Sequence, residues 1–248
     1  MKKSLLFLLL ALVVMPTWAQ DASSLIIKGK TDLAEAVNQN NLDGIKQVKA
    51  LLQRASQDKE VGHYAYYYLG LAEYRLASLD EENMADHIDQ GIDYLEKILK
   101  MDKGNVEGSA LLGSLTGWKA GLKPMQAMFL GPRSNRLLNG ATEADPENPR
   151  VMLFKSISDY NTPEQWGGDK DRAMEGFKKA ATFFENRPAG DEIEPSWGHP
   201  DAYAWLGIIH MERGQNDEAK AAFEKALDID PNFAWVKYGL MPQLASNE

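Results

Sequence analysis

The residues of this 248-residue chain best able to move a proton or hold a metal are four histidines, His63, His87, His199 and His210. No two of them stand four apart on one helical face, the spacing a zinc pair uses. Asp86-His87-Ile88-Asp89 is the one acid-flanked case. Acids near a helix start are favoured by the backbone dipole, so this cluster reads as a solvated helix N-terminus. His210 reads as a packing residue. Cysteine is absent, which removes thiol nucleophiles, disulfides, cysteine-containing zinc sites and lipid attached through Cys. The chain has no Ser-His-Asp order, glycine-rich phosphate loop or HExxH segment, and its carboxylates are expected on exposed faces. The expectation is therefore no catalytic residues, no metal, no cofactor and no enzymatic activity.

Two further groups could touch a ligand. In Trp166-Gly167-Gly168-Asp169 the paired glycines permit positive φ and Asp169 can cap a helix that follows from Asp171. The same turn could instead act as a lid or cradle an anion with its backbone amides, which makes Trp166, Gly167 and Gly168 candidate loop contacts. Met125 and Met128 read as adaptable apolar filler in a loop, against the alternative of a methionine metal site.

The elements that would position these groups are helices. Leu, Ala, Glu, Lys and Gln recur at three- and four-residue spacing, and strand-like alternation is essentially missing. Ahead of them, Lys2 and Lys3 precede an apolar run from Leu5 to Met15 and a small-residue exit at Thr17-Trp18-Ala19. This is the anatomy of a signal peptide over 1–19, cleaved after Ala19, with residues 20–248 as one exported domain, periplasmic or secreted. No second apolar run of membrane length follows, so no transmembrane segment is expected after cleavage. Cleavage takes the formal charge from −9 to −11, because the removed segment holds two lysines and no acid. So acidic a product disfavours nucleic acid and gives no general attraction to anionic lipid, which leaves soluble partners.

The helices repeat. Near the C-terminus Tyr203, Leu206, Gly207, His210 and Gly214 are followed by Ala219, Phe223, Ala226 and Pro231. This segment resembles a tetratricopeptide repeat, a helix pair with a period of about 34 residues. Tyr66, Leu69 and Gly70, with Gly91, Leu95 and Ile98, repeat the pattern. So do Leu112 and Gly113 with Leu138, Ala141 and Pro146, and, more weakly at its start, Leu153 and Ser156 with Ala173, Phe177 and Ala180. About nine residues are added between the halves of the second and third of these units. The polar stretch Ser78 to Asn83 and a loop carrying Gly121, Pro124, Gly131 and Pro132 are the expected places for them. Ala34 to Leu52 resembles a partial unit acting as an N-terminal cap. The resemblance implies an all-α solenoid of stacked antiparallel helix pairs, about four full units plus the partial one, at approximately 31–56, 63–103, 106–146, 149–185 and 200–233. The proline- and glycine-rich stretch from Asn186 to Pro200 is the longest irregular connection, either mobile or folded over a neighbour.

In this family the first helix of each pair lines a concave face. Carried onto this chain, that rule nominates Tyr64, Tyr67, Tyr74 and Arg75, then Trp118, then Arg150, Tyr160 and Asn161, as partner- or ligand-binding residues. Aromatic rings and Arg are frequent interface anchors, but the same rings at helical spacing also fill cores, and the sequence leaves the two open. If they line a groove, Tyr67→Ala with Arg75→Ala should abolish binding and leave the melting temperature nearly unchanged.

Three functions are compatible with such a fold: a cell-envelope scaffold that binds an exported protein or peptide, a periplasmic small-molecule-binding or handover component associated with a transporter, and a structural subunit that oligomerises. The export reading has a direct check. N-terminal sequencing of the protein recovered from the envelope of its producing host should begin at Gln20, and recovery with Met1 or Lys2 intact would refute cleavage.

Overall fold

The computed structural model describes residues 21–246, so the signal peptide assigned to 1–19 lies outside the described residues. Five antiparallel helix pairs follow one another: α1 Ala22–Asn38 with α2 Leu42–Ala55, α3 Gly62–Leu79 with α4 Met84–Met101, α5 Val106–Leu122 with α6 Pro124–Ala144, α7 Pro149–Asn161 with α8 Lys170–Asn186, and α9 His199–Glu212 with α10 Asn216–Ile229. A π-helical turn, Trp235–Leu240, leads into α11 Met241–Ala245. Among the described residues there is no strand. The protein is an all-α solenoid.

Local chemistry sets the helix starts. Asn41, Asn105, Asn148 and Asp169 each precede a helix and accept a hydrogen bond from a first-turn amide with the side-chain oxygen, which satisfies donors a helix leaves unpaired. Each pair is then held by one recurring contact. A glycine on the first helix meets a large apolar side chain on the second so closely that a Cβ on Gly29 would stand 2.6 Å from Leu52, on Gly70 2.7 Å from Leu95, on Gly113 2.8 Å from Leu138 and on Gly207 2.2 Å from Phe223. In the fourth pair the roles are exchanged, because Ser156 occupies the first helix and Gly176 of the second makes room for its hydroxyl. The contact at Gly29 belongs to a complete first pair, whose α1 begins at Ala22, well before the stretch that resembled a partial cap.

The added residues are absorbed differently from the expectation. They lengthen helices rather than loops: α3 and α4 have 18 residues each, α5 has 17 and α6 has 21, against 14 each in α9 and α10. Gly121, Pro124, Gly131 and Pro132 are all helical, with Pro124 at the first position of α6, where its missing N–H is harmless. Met125 and Met128 consequently lie on a helix and are 92% and 71% exposed, so they fill no gap.

The stack curls enough for its ends to meet. Asn38 at the end of α1 donates a side-chain hydrogen bond of 3.0 Å to Asp230 just past α10, and Arg75 of α3 pairs with Asp201 of α9 at 2.8 Å. The C-terminal turn caps the far end, where Phe233, Val236, Leu240 and Leu244 bury against Ala219, Phe223 and Ala226.

The seam makes a paired forecast. Gly207→Ala, which forces Phe223 aside, should destabilise the protein by about 1–3 kcal/mol, whereas Gly140→Ala, at a helical position with nothing within 4 Å, should stabilise it by about 0.5–1 kcal/mol. Urea unfolding of both variants measures the difference, and equal effects would remove the close-approach argument.

Candidate partner-binding face

The first helices of the pairs, α1, α3, α5 and α7, pack side by side and present the inner face of the curl. Their residues do not face an open groove. The irregular connection between α8 and α9, residues 187–198, runs back across them as a strap. Lys30 of α1 donates from Nζ to the carbonyls of Glu192 at 2.6 Å and Glu194 at 3.1 Å. Tyr68 of α3 donates its hydroxyl to the Glu194 carbonyl at 2.9 Å. The side chains of Ile193 and Trp197 pack against the core.

Trp197 is the anchor. Its indole N–H donates to the Tyr67 hydroxyl at 3.2 Å, its ring meets Phe154 edge-on at 5.6 Å, and the Arg75 guanidinium stands 5.0 Å from the ring centre. Its carbonyl accepts from Arg150 Nη1 at 3.3 Å. Arg150 is itself clamped by Glu107, whose two oxygens accept from Nε at 2.7 Å and Nη2 at 2.9 Å in bidentate geometry. Tyr74 completes the wall, edge-on to Trp118 and Phe154 at 5.7 and 5.6 Å.

Burial dominates the electrostatics here. It pushes the Tyr67 phenol far up, and the Tyr74 phenol up to about 12, so both stay neutral hydrogen-bonding groups. On Arg75 and Arg150 burial opposes the charge, but Asp201 and Glu107 respectively outweigh it, and both guanidinium groups are held charged more firmly than in water. Lys30 shows the opposite balance, since burial lowers its pKa against the pull of Glu192.

The structure thus brings together Tyr67, Tyr74, Arg75, Trp118 and Arg150, with Tyr64 half-buried beside them. Tyr67 and Arg150 are each only 3% exposed. It does not bring Tyr160 and Asn161 to the same place. Tyr160 packs against Trp205 at 5.2 Å and donates to Glu212, with Lys170 4.9 Å from its ring centre. Asn161 turns back to donate to the Ile157 carbonyl of its own helix.

The Trp166 turn resolves in favour of capping. Gly167 takes φ +94°, and a Cβ on Gly168 would stand 1.6 Å from the Thr162 carbonyl oxygen, so glycine is required at both. The amides of Trp166, Gly167, Gly168 and Asp169 donate to the carbonyls of Pro163, Glu164, Pro163 and Asp159, which leaves none of them to face an anion. The Trp166 side chain remains 67% exposed.

Two expectations about charge need correction. The carboxylates are not confined to exposed faces, since Glu73, Asp159 and Asp201 are buried. Nor is His87 solvated at a helix start: it is buried between Glu73 and Asp80, whose oxygens lie 2.8 and 3.3 Å from its two ring nitrogens, and Lys49 pairs with the other Glu73 oxygen. The acid on the facing helix, which draws the imidazole inward, lies fourteen residues away and has no local signature. Among the described residues no group of three or more His, Asp or Glu is arranged to hold a metal. Sequence reasoning missed Trp197, Glu107 and Asp201 as members of the face, because the rule applied to first helices passes over the strap, a helix start and an acid that faces inward.

Comparison with known proteins agrees with the paired-helix fold. Residues 200–233 match the tetratricopeptide repeat family. The fold is similar to that of the HusA haemophore from Porphyromonas gingivalis, at 20% identity over 78% of this chain and 94% of that one, with a TM-score of 0.65. It is also similar to a thermophilic tetratricopeptide repeat protein, TTC0263 of Thermus thermophilus, at 18% identity over 88% of this chain and 97% of that one, with a TM-score of 0.57. No curated protein matches. Residues 200–233 thus form a tetratricopeptide repeat, and the rest of the chain continues the same stacking of paired helices.

Proposed function

We propose that this protein is a non-enzymatic interaction scaffold of the cell envelope, exported by a signal peptide cleaved after Ala19, which receives a segment of an exported protein or peptide on its inner helical face. The observation that supports the reading is the strap. That face already holds a stretch of irregular polypeptide, taking its carbonyls on Lys30, Tyr68 and Arg150 and its indole among Tyr67, Arg75 and Phe154. A partner segment would use the same donors and rings, either beside the strap, where Tyr64 is only half-buried, or in its place.

A second reading is binding or handover of a small molecule, for which aromatic rings with a few placed polar groups, as on this face, are the usual lining. One protein that shares the fold is named a haemophore. Native mass spectrometry of protein purified gently from its producing host decides this reading. A retained mass is its expected result, and repeated absence of one argues against it.

Two measurements bear on the scaffold reading. Tyr67→Ala with Arg75→Ala removes a buried ring and strips Asp201 of its partner, so it is now expected to cost about 3–5 kcal/mol of stability instead of leaving melting unchanged. Binding is better tested without damage to the fold. A photocrosslinking residue at position 64, introduced in the producing host, should join the chain to an envelope protein, and one at position 97, exposed on α4, should not. Adducts confined to position 97 would move the binding surface off the inner face.

A further inference from the structure

The strap lies on the inner face as the topmost layer of the protein. None of its residues from Arg187 to Trp197 is fully buried, whereas Tyr67, Tyr68, Arg150 and Phe154 beneath it are. Its outer side faces solvent, so it can leave without displacing a helix. The face beneath is complete without it. Arg75 is paired with Asp201 at 2.8 Å and Arg150 with Glu107 at 2.7 Å, all four on helices, so uncovering them strands no charge. The rings that receive Trp197 are likewise fixed within the helical frame, Tyr67 edge-on to Tyr68 and Phe154 edge-on to Tyr74, both at 5.6 Å.

The strap is recognised by little that is particular to it. Four of the hydrogen bonds from the face end on main-chain carbonyls, those of Glu192, Glu194 and Trp197, which any polypeptide offers. The carboxylates of Asp191, Glu192 and Glu194 form no ion pair among the described residues, and Arg187 adds one long pair with Glu107 at 3.6 Å. Side-chain identity is read chiefly at Trp197. Its indole supplies at once a donor for the Tyr67 hydroxyl, a ring wall for Phe154 and a face for the Arg75 guanidinium. Phenylalanine lacks the donor, and tryptophan is the ring that holds a cation best.

From this layering we infer that the inner face is a receptor for a tryptophan-bearing segment of a partner, and that the strap is its built-in competitor, held in the same pocket until the partner takes its place. The inference rests on the scaffold reading above and adds the chemistry of the partner: an irregular segment that offers carbonyls to Lys30, Tyr68 and Arg150 and one indole to the space between Tyr67, Phe154 and Arg75. Tethered at both ends, the strap competes at an effective concentration on the order of millimolar. A free segment sees the face only for the fraction of time it is uncovered, and its apparent affinity falls by that fraction. The strap therefore sets a threshold that weak or mismatched segments do not cross.

A labelled synthetic peptide of residues 191–198, which keeps the turn closed by the Glu194 amide on the Asp191 carbonyl, tests this by fluorescence polarisation with the purified protein. Trp197→Ala should bind the peptide at least ten times more tightly than the unsubstituted protein does. Adding Tyr67→Phe to that variant should weaken binding several-fold, since the indole N–H loses its acceptor. A peptide carrying its own Trp197→Ala change should bind neither protein. Circular dichroism reports whether Trp197→Ala folds; if it does not, replacement of residues 188–197 by glycine and serine at the same length takes its place in the comparison. Equal binding to both proteins, binding to neither, or unfolding of both variants overturns the inference. The scaffold reading fails separately. An envelope adduct at position 64 without peptide exchange leaves the partner beside the strap and removes only the competitor, whereas exchange without that adduct upholds the receptor and removes the envelope partner.

Discussion

The close approach of each helix pair is the constraint from which the rest follows. A glycine on one helix and a leucine or phenylalanine on the other set the distance between the axes, and a large side chain that enters the space of a missing Cβ leaves no slack for sliding. Repeated at Gly29, Gly70, Gly113 and Gly207, and inverted at Ser156 and Gly176, the contact makes five similar building blocks whose first helices turn to the same side. The curl of the array is the accumulated rotation between these blocks.

On the inner side of the curl the chain has replaced an open surface with its own polypeptide. The arrangement is demanding in charge, since Arg75 and Arg150 are taken largely out of water, and desolvation of a guanidinium is offset only by good geometry. Both have it: one a short pair with Asp201, the other a bidentate clamp on Glu107. Their second task is to orient Trp197, one through its ring and the other through its carbonyl. Charge, edge-on ring packing and main-chain hydrogen bonds therefore converge on a single strap residue, which holds an irregular segment against the helices.

The fold was legible because its signals are local. Gly207, Ala219 and Phe223 mark a helix pair within one window, and the weaker copies fall into line by order. The added residues were placed in loops because Pro124 and Pro132 usually break helices, yet a proline at a helix start is harmless, and α6 tolerates the other within an otherwise good helical sequence. The inner-face residues were legible as a set of positions and not as a site. Nothing in the spacing of Tyr67, Arg75 and Arg150 announces that a tryptophan from beyond α8 will lie on them, because that contact spans 130 residues between Tyr67 and Trp197. His87 failed for the same reason, its environment being set by a carboxylate on another helix.

The hydrogen bond between Asn38 and Asp230 joins the first pair to the last. In an open array each repeat answers only to its neighbours, and stability grows by increments as units are added. Here the strap ties the beginning of the chain to its fourth and fifth pairs, and the terminal link shuts the circuit. The assembly consequently behaves less like a spring than like a clasped bracelet: its cooperativity belongs to the whole loop, and its folding must wait for partners far apart in sequence.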